Sequence, residues 1–291
     1  MMIKESLSRR GFLALAAASS SAAFAQKKKH IPVGLLIYAV INDWKKDFNG
    51  TLTAVAQMGY EGLELTQYES WTPARAKEVR ALLDSLKLKV LATHTEPQFF
   101  LPGDQMKAMI ELNQILGAQT VCCVRGLATT PTGIGYHAKA TSDADAWKEL
   151  TDVLQRASET LKRSKMACSF HNHAVEFQTK DGLRPIDILA QSKDLVFHVD
   201  VEVCRRAGTD PVAFMKEYPG KTECLLLTEG PLDSNRHAPA LGKGDTPWKD
   251  VFATAESVGG VKYYLLTHGA TELTPLETVK RDLDQYKSIH G

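Results

Sequence analysis

The sequence is short of several features that mark particular classes of protein. Its 291 residues carry 35 Lys and Arg against 34 Asp and Glu, a formal net charge of +1, so the chain has no bulk electrostatic attraction to nucleic acid or to an anionic membrane. No low-complexity segment follows residue 31, and hydrophobic residues make up 44% of the chain. This composition excludes general disorder, collagen-like repeats and coiled coil, and it indicates a globular protein.

Cysteine is scarce, and its spacing lacks the usual signatures. The five cysteines are odd in number and include no C-x-x-C pair. Most of them lie in apolar runs of strand type, where a free cysteine behaves as a small hydrophobic residue. We therefore predict buried thiols at Cys122, Cys123, Cys168, Cys204 and Cys224.

The chain also lacks an apolar run long enough to span a membrane near its start. A basic beginning with Arg9 and Arg10 leads into an apolar run over residues 11–18 and ends in Ala-Phe-Ala at residue 25, the organisation of a cleaved signal peptide. The run is much shorter than the ~20 residues that a transmembrane helix needs, which disfavours an uncleaved anchor. Residues 8–13 resemble the twin-arginine motif of the Tat export pathway.

These features predict two parts of unequal character. Residues 1–25 are predicted to be a twin-arginine signal peptide that is cleaved, and residues 26–291 the mature domain. The Tat route carries folded proteins, so we expect a bacterial protein that is periplasmic or otherwise exported, with no stable membrane insertion after cleavage.

The mature part alternates regularly between two patterns. Short apolar runs rich in Val, Leu and Ile alternate with stretches of helical period, and continuous apolar strands indicate a parallel sheet covered on both faces. Eight such units match an α/β fold of the (β/α)₈ TIM barrel type. The predicted strands are 32–37, 62–65, 89–93, 120–124, 167–170, 195–199, 224–228 and 262–266, and the predicted helices are 44–58, 73–86, 104–116, 143–162, 184–191, 210–217, 247–258 and 275–288.

A doubly wound open sheet is the alternative architecture. It normally shows a glycine-rich phosphate turn after its first strand, whereas residues 37–40 contain no glycine. Helix starts also fit the pattern, because a Thr or Asp that can cap a helix precedes a proline at residues 72–73, 210–211, 246–247 and 274–275. We therefore predict a single (β/α)₈ barrel.

Polar side chains stand at the ends of six predicted strands, where barrel enzymes place their active sites. Side chains alternate along a strand, so His171 and His173 share one side, as do His198 and Asp200. One histidine at such a position is commonly structural, but burying a whole set without partners would be costly. Converging imidazoles and carboxylates suit a divalent metal or a polyhydroxylated substrate. The set comprises Glu64, His94, His171, His173, Glu176, His198, Asp200, Glu229 and His268.

Ordered motifs across the mature chain resemble the sugar phosphate isomerase/epimerase family, the xylose-isomerase-like barrels. The stretch 168–177, which contains His171-Asn172-His173, resembles the His-Asn-His motif of that family. Each further match is weak alone, but their shared order is specific. They lie at residues 59–64, 116–118, 200–212, 218–221, 241–248 and 275–277.

This resemblance implies a TIM barrel enzyme that isomerises, epimerises or dehydrates sugars and keto-sugars. In such chemistry a carboxylate abstracts a proton beside a carbonyl, and a divalent metal (Mn²⁺, Mg²⁺, Co²⁺ or Zn²⁺) stabilises the enediolate oxygen. By resemblance, His171 and Asp200 match the first two of four metal ligands. Leu226 and Thr267 stand at the other two, and Leu cannot coordinate a metal while Thr is a poor ligand.

Three interpretations of this departure stay open. Neighbouring groups such as His173, His198, Glu229 or His268 rebuild a metal site. A metal-free enzyme uses Glu176 or Glu229 as the base and His94 or His268 as the electrophile. Alternatively, the barrel has lost catalysis and only binds a carbohydrate.

We predict an exported isomerase/epimerase-like enzyme that acts on a small carbohydrate or keto-sugar by proton abstraction next to a carbonyl, including lyase or hydratase chemistry. The alternative is a catalytically degenerate carbohydrate-binding barrel. An AP-endonuclease-like role is disfavoured, since it needs a richer metal cluster and a basic DNA-binding face. The oligomeric state is left open. The predicted site residues are Glu176, Glu229 and His94 for catalysis, Glu64, His173 and His268 for substrate binding, and His171 and Asp200 for metal binding.

Overall fold

Eight parallel strands close into a barrel in a computed structural model of the chain. Each strand pairs with its neighbours along the chain, and the first pairs with the last, which confirms the predicted (β/α)₈ architecture. The structure describes residues 30–124, 129–130, 133–134, 144–231, 233 and 237–290. The strands are β1 Val33–Leu36, β2 Gly62–Leu65, β3 Lys89–Thr95, β4 Thr120–Cys123, β5 Ala167–His171, β6 Leu195–Asp200, β7 Thr222–Leu227 and β8 Tyr263–Leu266.

Helices follow the strands and cover the outside of the barrel. None of the helices in the described ranges is long and apolar enough to cross a membrane. The predicted signal peptide, residues 1–25, lies outside the described residues. The helices are α1 Ile41–Lys46, α2 Phe48–Met58, α3 Pro73–Ser85, α4 Asp104–Leu116, α5 Ala144–Arg163, α6 Ala174–Phe177, α7 Pro185–Leu189, α8 Val201–Arg206, α9 Pro211–Glu217, α10 Trp248–Thr254 and α11 Pro275–His290.

Helix starts agree with the capping signals at three of the four Thr-Pro and Asp-Pro steps. The Thr72 hydroxyl accepts a hydrogen bond from the amide of Arg75, and the Asp210 carboxylate accepts one from the amide of Val212. Thr274 caps α11 by accepting from the amide of Glu277. Thr246 does not cap α10, because its hydroxyl donates to Glu229 instead.

Two short helices were missed by the sequence pattern. The helices α6 and α8 begin directly after β5 and β6, within the stretches that carry the polar residues of the predicted site. Each is too short to show a helical period, and each is started by a polar cap, as described below. The structure also confirms that all five cysteines are buried and free of disulfides.

The core has two parts. The larger one lies between the barrel and its helices. A smaller cluster is formed by residues of four strands, and β3 contributes two consecutive residues because its pairing with β2 is irregular at Leu91. Its members are Leu36, Leu91, Ala92, Cys224, Leu226, Tyr263 and Leu265. Gly34 is required for its packing, because a Cβ there would lie 2.6 Å from Cδ1 of Leu91 and 2.9 Å from the carbonyl oxygen of Gly62.

Candidate functional site

Glu64 lies on β2, one residue before the strand ends, and faces His94. The Glu64 side chain is fully buried, whereas that of His94 is 21% exposed. One carboxylate oxygen of Glu64 lies 3.4 Å from Nδ1 of His94 and 3.6 Å from Nδ1 of the buried His198. The structure therefore brings together three groups of the predicted set, of which Glu64 and His198 are fully buried. The predicted role of Glu64 in substrate binding stays a prediction.

Two opposing effects act on the Glu64 carboxyl. Burial raises its pKa, but the imidazoles of His198 and His94 together lower the pKa by more than burial raises it, so the net shift is downward. We therefore expect an ionised carboxylate in the barrel interior. Within the described part of the chain, neither of its oxygens has a hydrogen-bond partner, and neither do the Nδ1 atoms of His94 and His198.

Three imidazoles line the mouth of the barrel at the ends of β3 and β5. The ring centroids of His94 and His171 lie 5.5 Å apart, and those of His171 and His173 lie 5.1 Å apart. Burial lowers the pKa of His171 well below its usual value, and the neighbouring imidazoles of His94 and His173 act in the same direction. His171 is therefore neutral at physiological pH and able to donate one hydrogen bond to a substrate oxygen.

Glu176 is held against the end of β5 by a capping box. Its carboxylate accepts a hydrogen bond of 2.7 Å from the amide of His173, and the His173 side chain accepts one from the amide of Glu176. The residue is 2% exposed. Burial raises the pKa of Glu176 to about 7, although the backbone hydrogen bonds oppose this. A carboxyl with this pKa exists in both protonation states at neutral pH.

Asp200 occupies the corresponding position at the end of β6. It accepts a hydrogen bond of 3.1 Å from the amide of Val203 and so caps α8. Its own amide donates to the side-chain oxygen of Asn172, which ties the ends of β5 and β6 together. Burial raises the pKa of Asp200 to about 7 against the effect of the Val203 amide, and the nearby Glu202 adds to the rise.

Glu229 follows β7, and its carboxylate accepts hydrogen bonds from the segment after the strand. Its carboxylate accepts 2.6 Å hydrogen bonds from the Thr246 hydroxyl and from Nε1 of Trp248, and a 2.8 Å bond from the amide of Gly242. The amide of Gly230 donates a fourth, at 3.2 Å. These contacts favour a role in holding the loop over the catalytic role predicted for Glu229.

His268 follows β8 but interacts with the outer helices. Its Nδ1 contacts the carbonyl oxygen of Gly269, and its imidazole acts electrostatically on Asp282 of α11. The structure shows no direct contact between His268 and the imidazoles of the mouth among the described residues. Its predicted role in substrate binding stays a prediction.

The positions that correspond to the third and fourth metal ligands do not fit a metal. Leu226 is fully buried in the smaller cluster, where it pairs with Asp200 on one side and with Leu265 on the other. Asp200 already caps α8. In the described ranges, His171 and Asp200 belong to no group of three potential ligand atoms within 4.8 Å of one another. We therefore derive no step through a metal at this position.

A different trio does meet that distance criterion. Ligand atoms of Glu64, Cys122 and His198 all lie within 4.8 Å of one another, and all three residues are buried. From the sequence, Cys122 is predicted only to be a buried thiol. Its inward register, two residues after Thr120 on β4, was the signal that places it opposite Glu64. Tyr263, whose hydroxyl lies 2.8 Å from Nε2 of His198, was also missed.

Comparison with solved structures reproduces the fold. A sugar phosphate isomerase/epimerase from Parabacteroides distasonis is similar with a TM-score of 0.72 at 17% identity, over 92% of this chain and 98% of that one. A D-psicose 3-epimerase from Clostridium cellulolyticum, solved with D-tagatose, is similar with a TM-score of 0.65 at 12% identity, over 89% and 99%. An AP endonuclease of family 2 from Brucella melitensis gives 0.66 at 12%, over 89% and 99%.

At these identities the structural similarity shows the fold alone, and both sugar-acting proteins and a nuclease share it. Curated proteins gave no match to the sequence. The family comparison is more specific, because residues 52–288 match the family described as xylose isomerase-like TIM barrel. That match covers most of the chain. The protein therefore belongs to the xylose isomerase-like TIM barrel family.

Proposed function

We propose that this protein is a sugar isomerase or epimerase that transfers a proton at the carbon next to the carbonyl of a small keto-sugar. The observation that carries the proposal is a pair of buried carboxyls at the ends of neighbouring strands, Glu176 after β5 and Asp200 on β6, whose pKa values both lie at about 7. A base must be ionised and an acid protonated, and groups with a pKa near the working pH perform either task efficiently. Structural carboxylates seldom need such values.

In this proposal each residue at the mouth has its own role in the proton transfer. Glu176, whose carboxylate accepts from the amide of His173, takes the proton from the carbon next to the carbonyl. His171 is neutral and donates a hydrogen bond to the oxygen on which negative charge develops. Asp200 holds the proton that is returned. Return to the neighbouring carbon gives isomerisation, and return to the opposite face of the same carbon gives epimerisation.

The substrate class is suggested by the relatives. Several solved structures of the same fold are named as sugar epimerases, among them a D-psicose 3-epimerase with D-fructose, another with D-tagatose, and an L-ribulose 3-epimerase. Free ketoses are therefore the first compounds to test. Export through the Tat route is part of the proposal, since residues 8–13 resemble its motif and the periplasm is poor in sugar phosphates.

Solvent exchange tests the reaction directly. The purified protein is incubated in deuterated buffer with a panel of ketoses and aldoses, and NMR follows loss of the proton on the carbon next to the carbonyl. We expect exchange with at least one ketose and a loss of at least about a hundredfold in Glu176→Gln. The matched control is Glu111→Gln, which changes an exposed carboxylate on α4 and should leave the rate unchanged.

A carbohydrate-binding barrel without turnover is the second candidate. The observation that favours it is Leu226, which fills a position where the family resemblance implies a metal ligand. This candidate predicts that a sugar shifts protein resonances without exchanging any proton, whatever metal is added. Exchange that disappears in Glu176→Gln excludes it.

A further inference from the structure

We infer that Glu64, Cys122 and His198 form a binding site for a divalent cation of borderline softness, best matched by Zn²⁺, inside the barrel. The three residues come from β2, β4 and β6, and their ligand atoms lie within 4.8 Å of one another. This site differs from the one implied by the family resemblance, which draws on the ends of β5 to β8. It also stands independently of the proposed sugar chemistry.

The Glu64 carboxylate faces two imidazoles but has no hydrogen bond. Both of its oxygens are buried and, among the described residues, lack a hydrogen-bond partner. A buried ionised carboxylate without hydrogen bonds is costly, so such groups are normally paired or bound to a metal. The Nδ1 atoms of His94 and His198 face the same carboxylate and are equally unpartnered.

The two ring nitrogens of His198 have different partners, so the position of its proton matters. Its Nε2 lies 2.8 Å from the Tyr263 hydroxyl and 3.9 Å from a carboxylate oxygen of Glu223. When Nε2 carries the proton, Nδ1 directs a lone pair at Glu64. When Nδ1 carries it, the 3.6 Å separation from Glu64 is too long for a hydrogen bond. A cation between the two groups accepts the Nδ1 lone pair in the first case, and the Tyr263 contact then orients the ring as the outer partners of metal-bound histidines do.

The distances match ligands of one ion better than hydrogen bonds. Two ligands on a tetrahedral ion with bonds of about 2.1 Å are separated by about 3.4 Å. The Glu64 oxygen lies 3.6 Å from Nδ1 of His198. A bond from the ion to sulfur is about 2.3 Å long. The Cys122 sulfur therefore needs to move at most about 1 Å closer to the other two ligand atoms to reach the same ion.

The donor types select the ion. A thiolate, an imidazole and a carboxylate are the ligands of zinc sites, whereas Mg²⁺ and Ca²⁺ prefer oxygen donors alone. His94 lies outside this trio, although its Nδ1 is 3.4 Å from the Glu64 oxygen. Three protein ligands leave the fourth position of a tetrahedral ion for a solvent molecule.

Cobalt substitution tests this site without any substrate. The full-length protein is stripped with a chelator, loaded with Co²⁺ and dialysed, and its metal content and absorption spectrum are measured. We expect one Co²⁺ per chain, the intense d–d bands of tetrahedral coordination, and a thiolate-to-cobalt charge-transfer band. Zn²⁺ should displace Co²⁺ and abolish these bands.

Variants identify the ligands. Cys122→Ser should remove the charge-transfer band, and Glu64→Gln and His198→Gln should each weaken metal binding at least about tenfold. Cys123→Ser is the matched control, because it changes the neighbouring buried thiol in the outer core. Circular dichroism checks that every variant is folded. No retained Co²⁺ or Zn²⁺ in the folded wild type, or a charge-transfer band that survives in Cys122→Ser, would overturn the inference.

Discussion

At the scale of single residues, Glu176 and Glu229 lie in contrasting surroundings although the sequence suggests the same role for both. Glu176 accepts a backbone hydrogen bond from His173 and has a pKa of about 7. Glu229 accepts four hydrogen bonds from the loop that follows β7. The first environment leaves a carboxyl with a raised pKa, and the second uses the carboxyl oxygens to hold the segment that follows β7.

The contrast predicts opposite consequences for substitution. Glu229→Ala leaves the Thr246 hydroxyl and Nε1 of Trp248 buried without an acceptor, so we expect a loss of about 3 kcal/mol or more in the free energy of unfolding. Urea unfolding followed by Trp fluorescence measures it. Glu111→Ala on the exposed face of α4 should change stability by less than about 0.5 kcal/mol. A Glu229→Ala protein as stable as this control would contradict the structural role.

The raised pKa values of Glu176 and Asp200 predict a pH dependence of stability. Each group binds its proton more tightly in the folded protein, with a pKa of about 7 against ordinary values of 4.5 and 3.8. The unfolded chain therefore loses these protons first as pH rises. Their stabilising contribution is complete below about pH 4 and is lost between about pH 4 and pH 7, by about 3–4 kcal/mol for each group.

Urea unfolding at a series of pH values tests this dependence. Wild-type stability should fall across the window from about pH 4 to pH 7, and the Glu176→Gln, Asp200→Asn double variant should show a shallower fall. Asp152→Asn, at an exposed position of α5, is the control and should follow the wild type. Equal slopes in the wild type and the double variant would show that these carboxyls titrate normally.

Residue types at strand ends could be predicted from the sequence, but their surroundings could not. The predicted proximity of His171 and His173 agrees with their ring contact, although His173 lies beyond β5 and caps α6. The four hydrogen-bond donors around Glu229 come from residues up to 19 positions away, and no local sequence pattern predicts these contacts. The same applies to Cys122, whose partners come from two other strands.

At the scale of elements, the interior of the barrel depends on glycine in two neighbouring strands. A Cβ at Gly34 on β1 would lie 2.6 Å from Cδ1 of Leu91, and a Cβ at Gly62 on β2 would lie 2.7 Å from Cγ of the same residue. Leu91 on β3 therefore fills the space that these glycines leave open. Glycine is disfavoured in strands by its intrinsic propensity, so close packing is the physical reason for both glycines.

This packing predicts a coupled pair of substitutions. Gly34→Ala should destabilise the protein by about 2–3 kcal/mol through overpacking. In a Leu91→Ala background the same change should cost at least about 1 kcal/mol less, because the clashing side chain is gone. A double-mutant cycle by urea unfolding measures the coupling. Strict additivity would mean that Leu91 does not fill this space.

Element positions were predicted well where the pattern is long and poorly where it is short. The ranges for β2 and α4 agree at both ends, and β7 begins two residues earlier than predicted, at the irregular pairing with β6. The helices α6 and α8 are too short for periodicity and are set by the side chains of His173, Glu176 and Asp200. The residues that predict the site are therefore also the ones that start these turns.

At the scale of the whole molecule, the strict alternation of strands and helices was sufficient to predict the barrel. Each apolar strand needs cover on both faces, and eight such units closed on themselves satisfy this need for every strand. The chemistry at the mouth does not follow from the fold, since the same architecture is found in proteins named as epimerases and as a nuclease.

The proposed export also belongs to this scale and predicts a specific dependence on the paired arginines. Replacing Arg9 and Arg10 together by Lys keeps the charge but removes the twin-arginine motif, so we expect the precursor to accumulate inside the cell. Immunoblots of periplasmic and cytoplasmic fractions measure the distribution. Lys4→Gln, which changes a basic residue outside the motif, should leave export intact. Normal export of the double Lys variant would rule out the Tat route.

The central claim is that buried carboxyls titrating near neutrality transfer a proton at a sugar carbon. Its most direct test is the pH dependence of solvent deuterium exchange into a reactive ketose, measured by NMR. We predict a bell-shaped profile with its maximum near pH 7, loss of exchange in Glu176→Gln, and loss of the alkaline limb in Asp200→Asn. An exchange rate that does not vary with pH, or no exchange with any ketose that binds, would contradict the claim.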